Sequence, residues 1–511
     1  MTSIDVVEMT VAQVQDGLAN GSFTCEALTQ AFLDRIDALD PAYNAIIFRN
    51  PDALADAREI DRRMAAGEKL GPLAGVPVVI KDPMDMKGFP TTAGWSLLYS
   101  GKGGVDLMPE TDSPVVARMR AAGTIMLGKT NVPVLSASGS HANDSWAGPT
   151  INAAIPDRVP GASSAGTATA VATSMAVLGL AEETGGSIQN PASAQGLVGI
   201  KPTHALVPNA GVVPLSSMRD VVGPIARCVR DAALCLDVLA GFTMADPKTV
   251  AAIGKIPKGG YTSLLSETAL AGTRLGLYGD GWRNTKLSAE TASLYRRAQG
   301  EIEARGTVLV EDPFVGTGFA ALYQPTGESH FDARGMESVP YDLQKYLERL
   351  GPDAALKTFA TFAEATQAEN AFGSTGVLRY LNELPAFHAC LADPTAPPDM
   401  SEFAALRGAY LEIFCAALDA AALDAVVFPQ MHSELPSLHG GIPIHETTVC
   451  EINIAGLPGV VVPAGFYASG APFCLIFVGR PFSEAHLLAL AYDYEQATKH
   501  RATPTLSHAV A

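Results

Sequence analysis

Apolar residues recur every three or four positions along several stretches of this chain, the spacing that places them on one face of a helix. Residues 10–39 show it first, with Thr10 placed to cap the start and Asn20-Gly21 interrupting the pattern. We therefore predict two helices joined by a turn. Further helices are predicted at 52–66, 113–122, 230–239 and 483–499.

Short runs rich in β-branched and apolar residues, typical of buried strands, alternate with these helical stretches. They lie at 75–81, 124–131, 425–428, 459–463 and 473–478. Alternating helices and strands favour α/β layers. The sequence predicts an α/β fold, a single large domain with a mixed, largely parallel β-sheet sandwiched between helices.

The middle of the chain, about 248–420, is less regular than either end. It carries helical stretches at 288–304, 342–348, 353–370 and 402–421, with proline- and glycine-rich loops between them. Because strands return after it, we expect one sheet with insertions. The expected single domain, 1–511, comprises N-terminal helices (about 1–70), a core (about 71–245), a variable region (about 246–423) and C-terminal strands with a helix (about 424–503).

The charge and composition of the chain limit the classes of molecule that it is expected to bind and the compartment in which it is expected to lie. Acidic residues outnumber Lys plus Arg by 53 to 35, giving a net charge of −18, and no basic cluster stands out. Nucleic acids and anionic membranes are therefore poor candidates. The seven cysteines contain no CxxC, the N-terminal residues do not resemble a signal peptide, and no run of 18 apolar residues occurs. These features indicate a cytoplasmic protein.

Residues 161–203 hold the most distinctive pattern. Two runs of small residues, GASSAG at 161–166 and GGS at 185–187, flank an uncharged stretch at 167–180. Small residues at a turn let the backbone approach a ligand and expose its N–H groups, and a serine there can present its Oγ. Flexible linkers are not apolar between their glycines, so the pattern favours a site.

Several familiar chemistries do not fit this pattern. Neither GxGxxG nor GxxxxGK[ST] occurs, and Glu182-Glu183 beside the second run would repel a phosphate. The nucleophile-elbow pattern GxSxG and the zinc pattern HExxH are also absent from the sequence. His432 and His439 flank a loop, but surface or core roles are commoner for such histidines. We expect no metal and no cofactor.

A serine nucleophile without an obvious histidine partner remains. Such a serine needs a base, and a lysine made neutral by burial can serve. Lys81 ends the apolar run at 75–81 and is a candidate, although a solvated strand terminus is the commoner fate of such a lysine. The Thr184-Gly185-Gly186 turn is placed to direct backbone N–H groups at a developing oxyanion.

Six stretches can be compared with known motifs: GVPVVIKD at 75–82, GKTNVPVLSASGSHANDSWAGPTINA at 128–153, GASSAGT at 161–167, AEETGGSIQNPASAQGLVGIKPT at 181–203, DVVGPIARCVRDAALCLDVLAG at 220–241 and EINIAGLPGVVVPAG at 451–465. Together they resemble the amidase signature family of serine hydrolases, whose hallmark is GGSSGGS followed by GTDTGGSIRxPAxxxGxxGxKPT. The resemblance spans roughly 8–245 and 424–503.

The resemblance implies the amidase signature fold and a Ser–cis-Ser–Lys catalytic set. Ser187 would be the nucleophile, Ser163 the relay that follows a cis peptide bond, and Lys81 the base. Ser164 would help to hold the lysine. The backbone N–H groups of Thr184, Gly185, Gly186 and Ser187 would line the oxyanion hole.

This chain departs from the family motif at several positions. Ala162 and Ala165 replace glycines and Thr167 stands where serine is usual. Glu182-Glu183 replaces Thr-Asp, and Gln189 replaces an arginine. Losing that arginine weakens the case for an anionic substrate or a glutamine-handling role, and removes an expected structural ion pair.

The resulting expectation is a stand-alone hydrolase that cleaves the amide C–N bond of a small or aryl amide through an acyl-enzyme. Hydrolysis of a carbamate, anilide or ester at the same site is the alternative, and a glutamine-dependent amidotransferase subunit is a further one. A degenerate binding protein fits poorly, because the three catalytic side chains are present. We expect the partner to be a small-molecule substrate, an amide or a carbamate, and the chain to be a monomer or homodimer. The pocket is expected to involve residues in about 310–400, where the sequence assigns no roles and does not specify the acyl group or the amine.

Overall fold

The computed structural model describes residues 4–137, 144–322 and 335–506. Part of the motif-matching segment 128–153 and part of the variable region therefore lie outside the described residues. The helices are α1 Val11–Ala19, α2 Cys25–Tyr43, α3 Ala53–Ala65, α4 Pro114–Ala121, α5 Ala165–Ala172, α6 Gln189–Ala194, α7 Val229–Leu239, α8 Ala289–Glu303, α9 Val339–Arg349, α10 Phe359–Ala365, α11 Pro385–Ala392, α12 Ser401–Ala420, α13 Val449–Ala455 and α14 Glu484–Thr498.

Local signals explain where these helices begin and end. Thr10 caps α1 with a capping box to Gln13, and Thr24 caps α2. The helices predicted at both ends of the chain are confirmed. The one expected over 353–370 is shorter, because Thr358 caps a new helix start and only Phe359–Ala365 is α-helical.

Eleven strands form one sheet within the described residues. They are β1 Ile46–Arg49, β2 Pro77–Lys81, β3 Ile125–Thr130, β4 Leu178–Glu183, β5 Val198–Lys201, β6 Val221–Ala226, β7 Arg274–Leu277, β8 Val308–Val310, β9 Ala425–Pro429, β10 Gly459–Phe466 and β11 Pro472–Val478. Their order across the sheet is β1-β3-β2-β4-β6-β5-β10-β11-β9-β7-β8. Strands from both ends of the chain therefore meet in one sheet, as expected.

The sheet is mixed, but it is not largely parallel, and this part of the expectation is corrected. Parallel pairs join β2 to β3 and β4, and β7 to β8 and β9. The other pairs among the described strands are antiparallel. Short connections explain part of the difference: β10 and β11 are joined by a tight turn, and such a turn can only connect antiparallel neighbours.

The central strands are buried along their full length, as expected when helices cover both faces of a sheet. Every residue of β2, β4, β5, β6, β9 and β11 is buried. No helix in the described ranges is both long enough and apolar enough to cross a bilayer.

One strand pair positions the candidate site. β2 and β4 are parallel neighbours, with Ile80 paired to Leu180. Their carboxyl ends therefore meet at the same edge of the sheet, where ligands bind in many α/β proteins. Lys81 ends one strand and the turn at 184–187 follows the other, so the register brings them together.

Candidate active site

Lys81 lies at the end of β2 and is fully buried. Its Nζ donates hydrogen bonds to Ser163 Oγ at 2.6 Å and to the backbone carbonyl of Glu182 at 3.1 Å. The Glu182 carboxylate lies 2.9 Å from the same nitrogen. The solvated strand terminus considered from the sequence is therefore wrong, and Lys81 faces a serine in the first small-residue run.

Ser163 and Ser164 lie in the loop that leads into α5. The Ala162–Ser163 peptide bond is cis, as the resemblance implied for this position. Ser164 Oγ donates to the carbonyl of Glu182 at 3.2 Å, the carbonyl that also holds Lys81. Its backbone N–H donates to the carbonyl of Ser187 at 3.3 Å. The two small-residue runs are thus bound to each other.

Ser187 lies in the turn between β4 and α6 and is 7% exposed. The preceding Gly186 has φ +97°, and a Cβ there would lie 2.6 Å from Asn190 Nδ2. The Gly186 carbonyl accepts the N–H of Asn190 at 2.7 Å. Glycine is needed here because an L side chain rarely adopts this conformation. Thr184, Gly185, Gly186 and Ser187 therefore follow one another around a tight turn.

Glu183 stabilises this turn through hydrogen bonds to its side-chain carboxylate. Its carboxylate accepts the backbone N–H groups of Ile188 and Gln189 at 2.7 and 3.0 Å, and Asn453 Nδ2 at 2.7 Å. The Gln189 side chain also donates to it. Neutral hydrogen bonds thus occupy the position where an ion pair with the family's arginine had been expected. Asn453, on α13, was missed by sequence reasoning because it follows Glu183 by 270 residues.

Burial shifts the proton equilibria of the site. It lowers the pKa of Lys81, and the neighbouring Glu182 carboxylate is the largest influence that opposes it. Burial raises the pKa of Asp220 to about 7, and here the Glu182 carboxylate acts in the same direction as burial. Asp220 is hydrogen-bonded to the Thr184 hydroxyl. A buried carboxyl with a pKa raised to about 7 therefore lies beside the turn, next to a lysine whose pKa is lowered.

The substituted positions of the first run are accommodated. Ala162 and Ala165 are both buried and pack together. Thr167 Oγ1 lies 2.8 Å from the Thr130 hydroxyl and donates to the Leu180 carbonyl at 3.2 Å. The hydroxyl that the family's serine would supply is therefore retained in a bonded position.

Comparison with known proteins adds independent findings. The sequence profile of the family described as Amidase matches residues 27–371. The chain is 32% identical to a Glutamyl-tRNA(Gln) amidotransferase subunit from Moorella thermoacetica, covering 98% of this chain and 99% of that one. Among solved structures, the native peptide amidase from Stenotrophomonas maltophilia superposes with a TM-score of 0.81 at 32% identity, covering 98% of this chain and 99% of that one.

A bacterial aryl acylamidase shares the fold, with a TM-score of 0.75 at 21% identity over 96% of this chain and 97% of that one. The profile match covers most of the chain, and the relatives match nearly all of it. Three of the motifs contribute residues that contact one another, through the hydrogen bonds of Lys81 to Ser163 and of Ser164 to Ser187. The chain therefore belongs to the amidase signature family and is an enzyme that acts on amide C–N bonds.

Proposed function

We propose that this chain is a stand-alone hydrolase of a small or aryl amide that works through an acyl-enzyme on Ser187. The observation that carries the proposal is the 2.6 Å contact between Lys81 Nζ and Ser163 Oγ. It lies beside a glycine turn that carries a second serine. A buried lysine in contact with a hydroxyl is the arrangement that a base acting through a serine relay requires.

Acylation begins when Ser187 Oγ attacks the amide carbonyl. Its proton passes to Ser163 Oγ while the Ser163 proton passes to neutral Lys81 Nζ. The negative charge that develops on the carbonyl oxygen faces the backbone N–H groups of Thr184, Gly185, Gly186 and Ser187. Such donors stabilise the transition state more than the ground state.

The tetrahedral intermediate collapses when the C–N bond breaks. The relay returns the proton from Lys81 through Ser163 to the leaving nitrogen, which departs as an amine. Water then attacks the acyl-enzyme, its proton follows the same relay, and the acid leaves as Ser187 recovers its hydrogen. Ser164 supports the cycle by fixing the Glu182 carbonyl that holds Lys81.

Carbamates, anilides and esters would be hydrolysed by the same steps, because the site acts on a carbonyl and the leaving group only has to accept a proton. Preference among them depends on the pocket around the acyl and leaving groups.

A second candidate, a glutamine-dependent amidotransferase subunit, is favoured by the name of the Moorella relative. Against it, a peptide amidase is equally identical to this chain over an equal share of its length. The net charge of −18 disfavours binding to a charged RNA. Gln189 also stands where the family motif has arginine.

Turnover by the purified chain alone separates the two. A panel of aryl amides, amino acid amides, carbamates and esters is assayed with the wild type and Ser187→Ala. Hydrolysis that the serine variant lacks supports the stand-alone hydrolase. Release of ammonia from glutamine only after partner subunits are added would support the amidotransferase instead.

A further inference from the structure

The carboxylate of Glu182, near the end of β4, has no part in the relay described above. It lies 2.9 Å from Lys81 Nζ, with 4% of its side chain exposed and none of the lysine's. The family hallmark carries an uncharged threonine at this position. A buried negative charge is therefore in direct contact with the candidate base.

The contacts of Lys81 Nζ match the donors of an ammonium group. Three acceptors surround the nitrogen, namely Ser163 Oγ, the Glu182 carbonyl and the Glu182 carboxylate. An ammonium has three N–H donors, one for each. A neutral amine keeps two N–H groups and gains a lone pair. When the two Glu182 oxygens take both N–H groups, the lone pair faces Ser163.

Other charges also act on Lys81 but from different positions. Glu183 and Asp220 each oppose the effect of burial on the pKa of the lysine, less strongly than Glu182. The Glu183 carboxylate is bound to the start of α6, and Asp220 is bound to Thr184. Among these three carboxylates, Glu182 makes the hydrogen bond to Nζ.

We propose that Glu182 is a positioning residue that makes Lys81 harder to deprotonate and aims the lone pair of the lysine at Ser163 once the proton has left to solvent. This inference rests on the proposed function of the site. An opposite charge within contact distance raises the pKa of a lysine by about 1–3 units relative to a neutral neighbour. The neutral amine of Lys81, the form that can act as a base, is therefore formed at a more alkaline pH than it would be if burial acted alone.

Glu182→Gln tests the charge separately from the contact, because glutamine keeps an acceptor oxygen and loses the charge. The readout is the second-order rate constant for labelling of Ser187 by a fluorophosphonate probe, in which the serine oxygen bonds to phosphorus and fluoride leaves. It is measured on the full chain from pH 5 to 10 by intact mass. In a plot of this rate constant against pH, the rising acid limb should move to lower pH by about one unit or more, and the alkaline plateau should stay unchanged.

Glu182→Leu removes both the charge and the acceptor. We expect the same shift of the limb together with a lower plateau, because the lone pair is no longer oriented. Glu484→Gln is the matched control: Glu484 is also a buried carboxyl, and it accepts the N–H of Thr203. Its limb should stay at the wild-type pH. If Glu182→Gln does not fold, Glu182→Thr carries the same charge test.

Three outcomes would overturn the inference. An unchanged limb in folded Glu182→Gln means that its charge does not control Lys81. Loss of the limb in Asp220→Asn assigns it to Asp220 instead. Failure to label Ser187 in the wild type at any pH removes the proposed nucleophile as well, whereas labelling with a limb that Glu182 does not affect removes this inference alone.

Discussion

Burial determines what the lysine at the end of β2 can do. Lys81 has no exposed surface, and desolvation lowers its pKa. Its contact with Ser163 then gives a proton acceptor that no solvated lysine could provide. At the scale of single residues, the site depends on how much of this neutral form is populated.

Lys81→Ala should reduce kcat by at least about 10²–10⁴-fold, the usual contribution of a general base. Lys81→Arg should be almost as inactive, since a guanidinium does not lose its proton at working pH. The kcat of both variants is measured by steady-state assays across pH, on the best substrate of the panel and after folding is verified.

Lys129→Arg is the matched control for these variants. Lys129 is also fully buried, but it donates to the carbonyl of Pro90 and the hydroxyl of Thr91. It should lose stability while retaining most of its kcat. Near-normal kcat in Lys81→Arg would show that the lysine acts only as a cation and that the relay is wrong.

Ser187→Ala should abolish hydrolysis with little loss of stability. The substitution removes one hydroxyl from a turn whose shape depends on Gly186. Hydrolysis and the thermal midpoint are compared with those of Ser193→Ala, another buried serine, in α6. The control should keep its activity. Retention of more than a small fraction of kcat in Ser187→Ala would exclude this serine as the nucleophile.

The motifs predicted roles for Lys81, Ser163, Ser164 and Ser187, and in the structure hydrogen bonds join Lys81 to Ser163 and Ser164 to Ser187. It did not reveal the contact of Glu182 with the lysine, although the residue was noted as a departure from the motif. A motif gives the order of residues along a strand. The direction of a side chain at the strand's end depends on the register with the neighbouring strand, which the sequence does not specify.

At the scale of elements, two small-residue turns must approach each other closely. Gly161 has φ +79°, and a Cβ there would lie 2.4 Å from Pro191 Cα, a backbone atom that cannot move independently. Gly21 has a similar φ of +73°, but open space surrounds its missing Cβ. Comparing substitutions at Gly21 and Gly161 therefore separates two costs of adding a side chain: the cost of a positive φ, which both share, and the cost of a steric clash, which only Gly161 has.

Gly21→Ala should destabilise the protein by about 1–2 kcal/mol, the cost of a left-handed alanine. Gly161→Ala should cost more and also reduce kcat, because the loop carrying Ser163 has to move away from α6. Urea unfolding and steady-state assays measure both effects. Equal stability losses in the two variants would mean that the close approach at Gly161 is unimportant.

Helices were predicted more completely than strands. The spacing of apolar residues and the capping residues specify α1 to α4 locally. Of the eleven strands in the described residues, β2, β3, β9, β10 and β11 were predicted. The short strands β7 and β8 in the irregular middle were missed, and so were β1, β4, β5 and β6. The parallel preference was overestimated because strand order depends on contacts between distant segments, such as β10 between β5 and β11.

At the scale of the whole molecule, buried and part-buried side chains hold the C-terminal segment against the core. Glu484 accepts the N–H of Thr203 at 2.6 Å, and Glu495 accepts the N–H of Val229 at 2.8 Å. Arg501 forms an ion pair with Glu8 at 2.7 Å. These contacts hold α14 and the residues after it against the part of the chain that precedes the long middle region.

Glu495 makes this closure sensitive to pH. Burial raises the pKa of its carboxyl from 4.5 to about 7. Between these values the folded protein holds a proton that the unfolded chain has released. The stability contributed by this proton is therefore present below about pH 4.5 and is lost as the pH rises through about 7.

Glu495→Gln should remove this dependence, because glutamine stays neutral throughout. The free energy of unfolding of the wild type minus that of the variant should fall by up to about 3 kcal/mol between pH 4.5 and 8, at about 1.4 kcal/mol per pKa unit. Urea unfolding at several pH values measures the difference, and Glu303→Gln, at an exposed position on α8, should give a constant one. A constant difference for Glu495→Gln would mean that its carboxyl is ionised in the folded protein, and that closure of the C-terminal helix on the core does not depend on a bound proton.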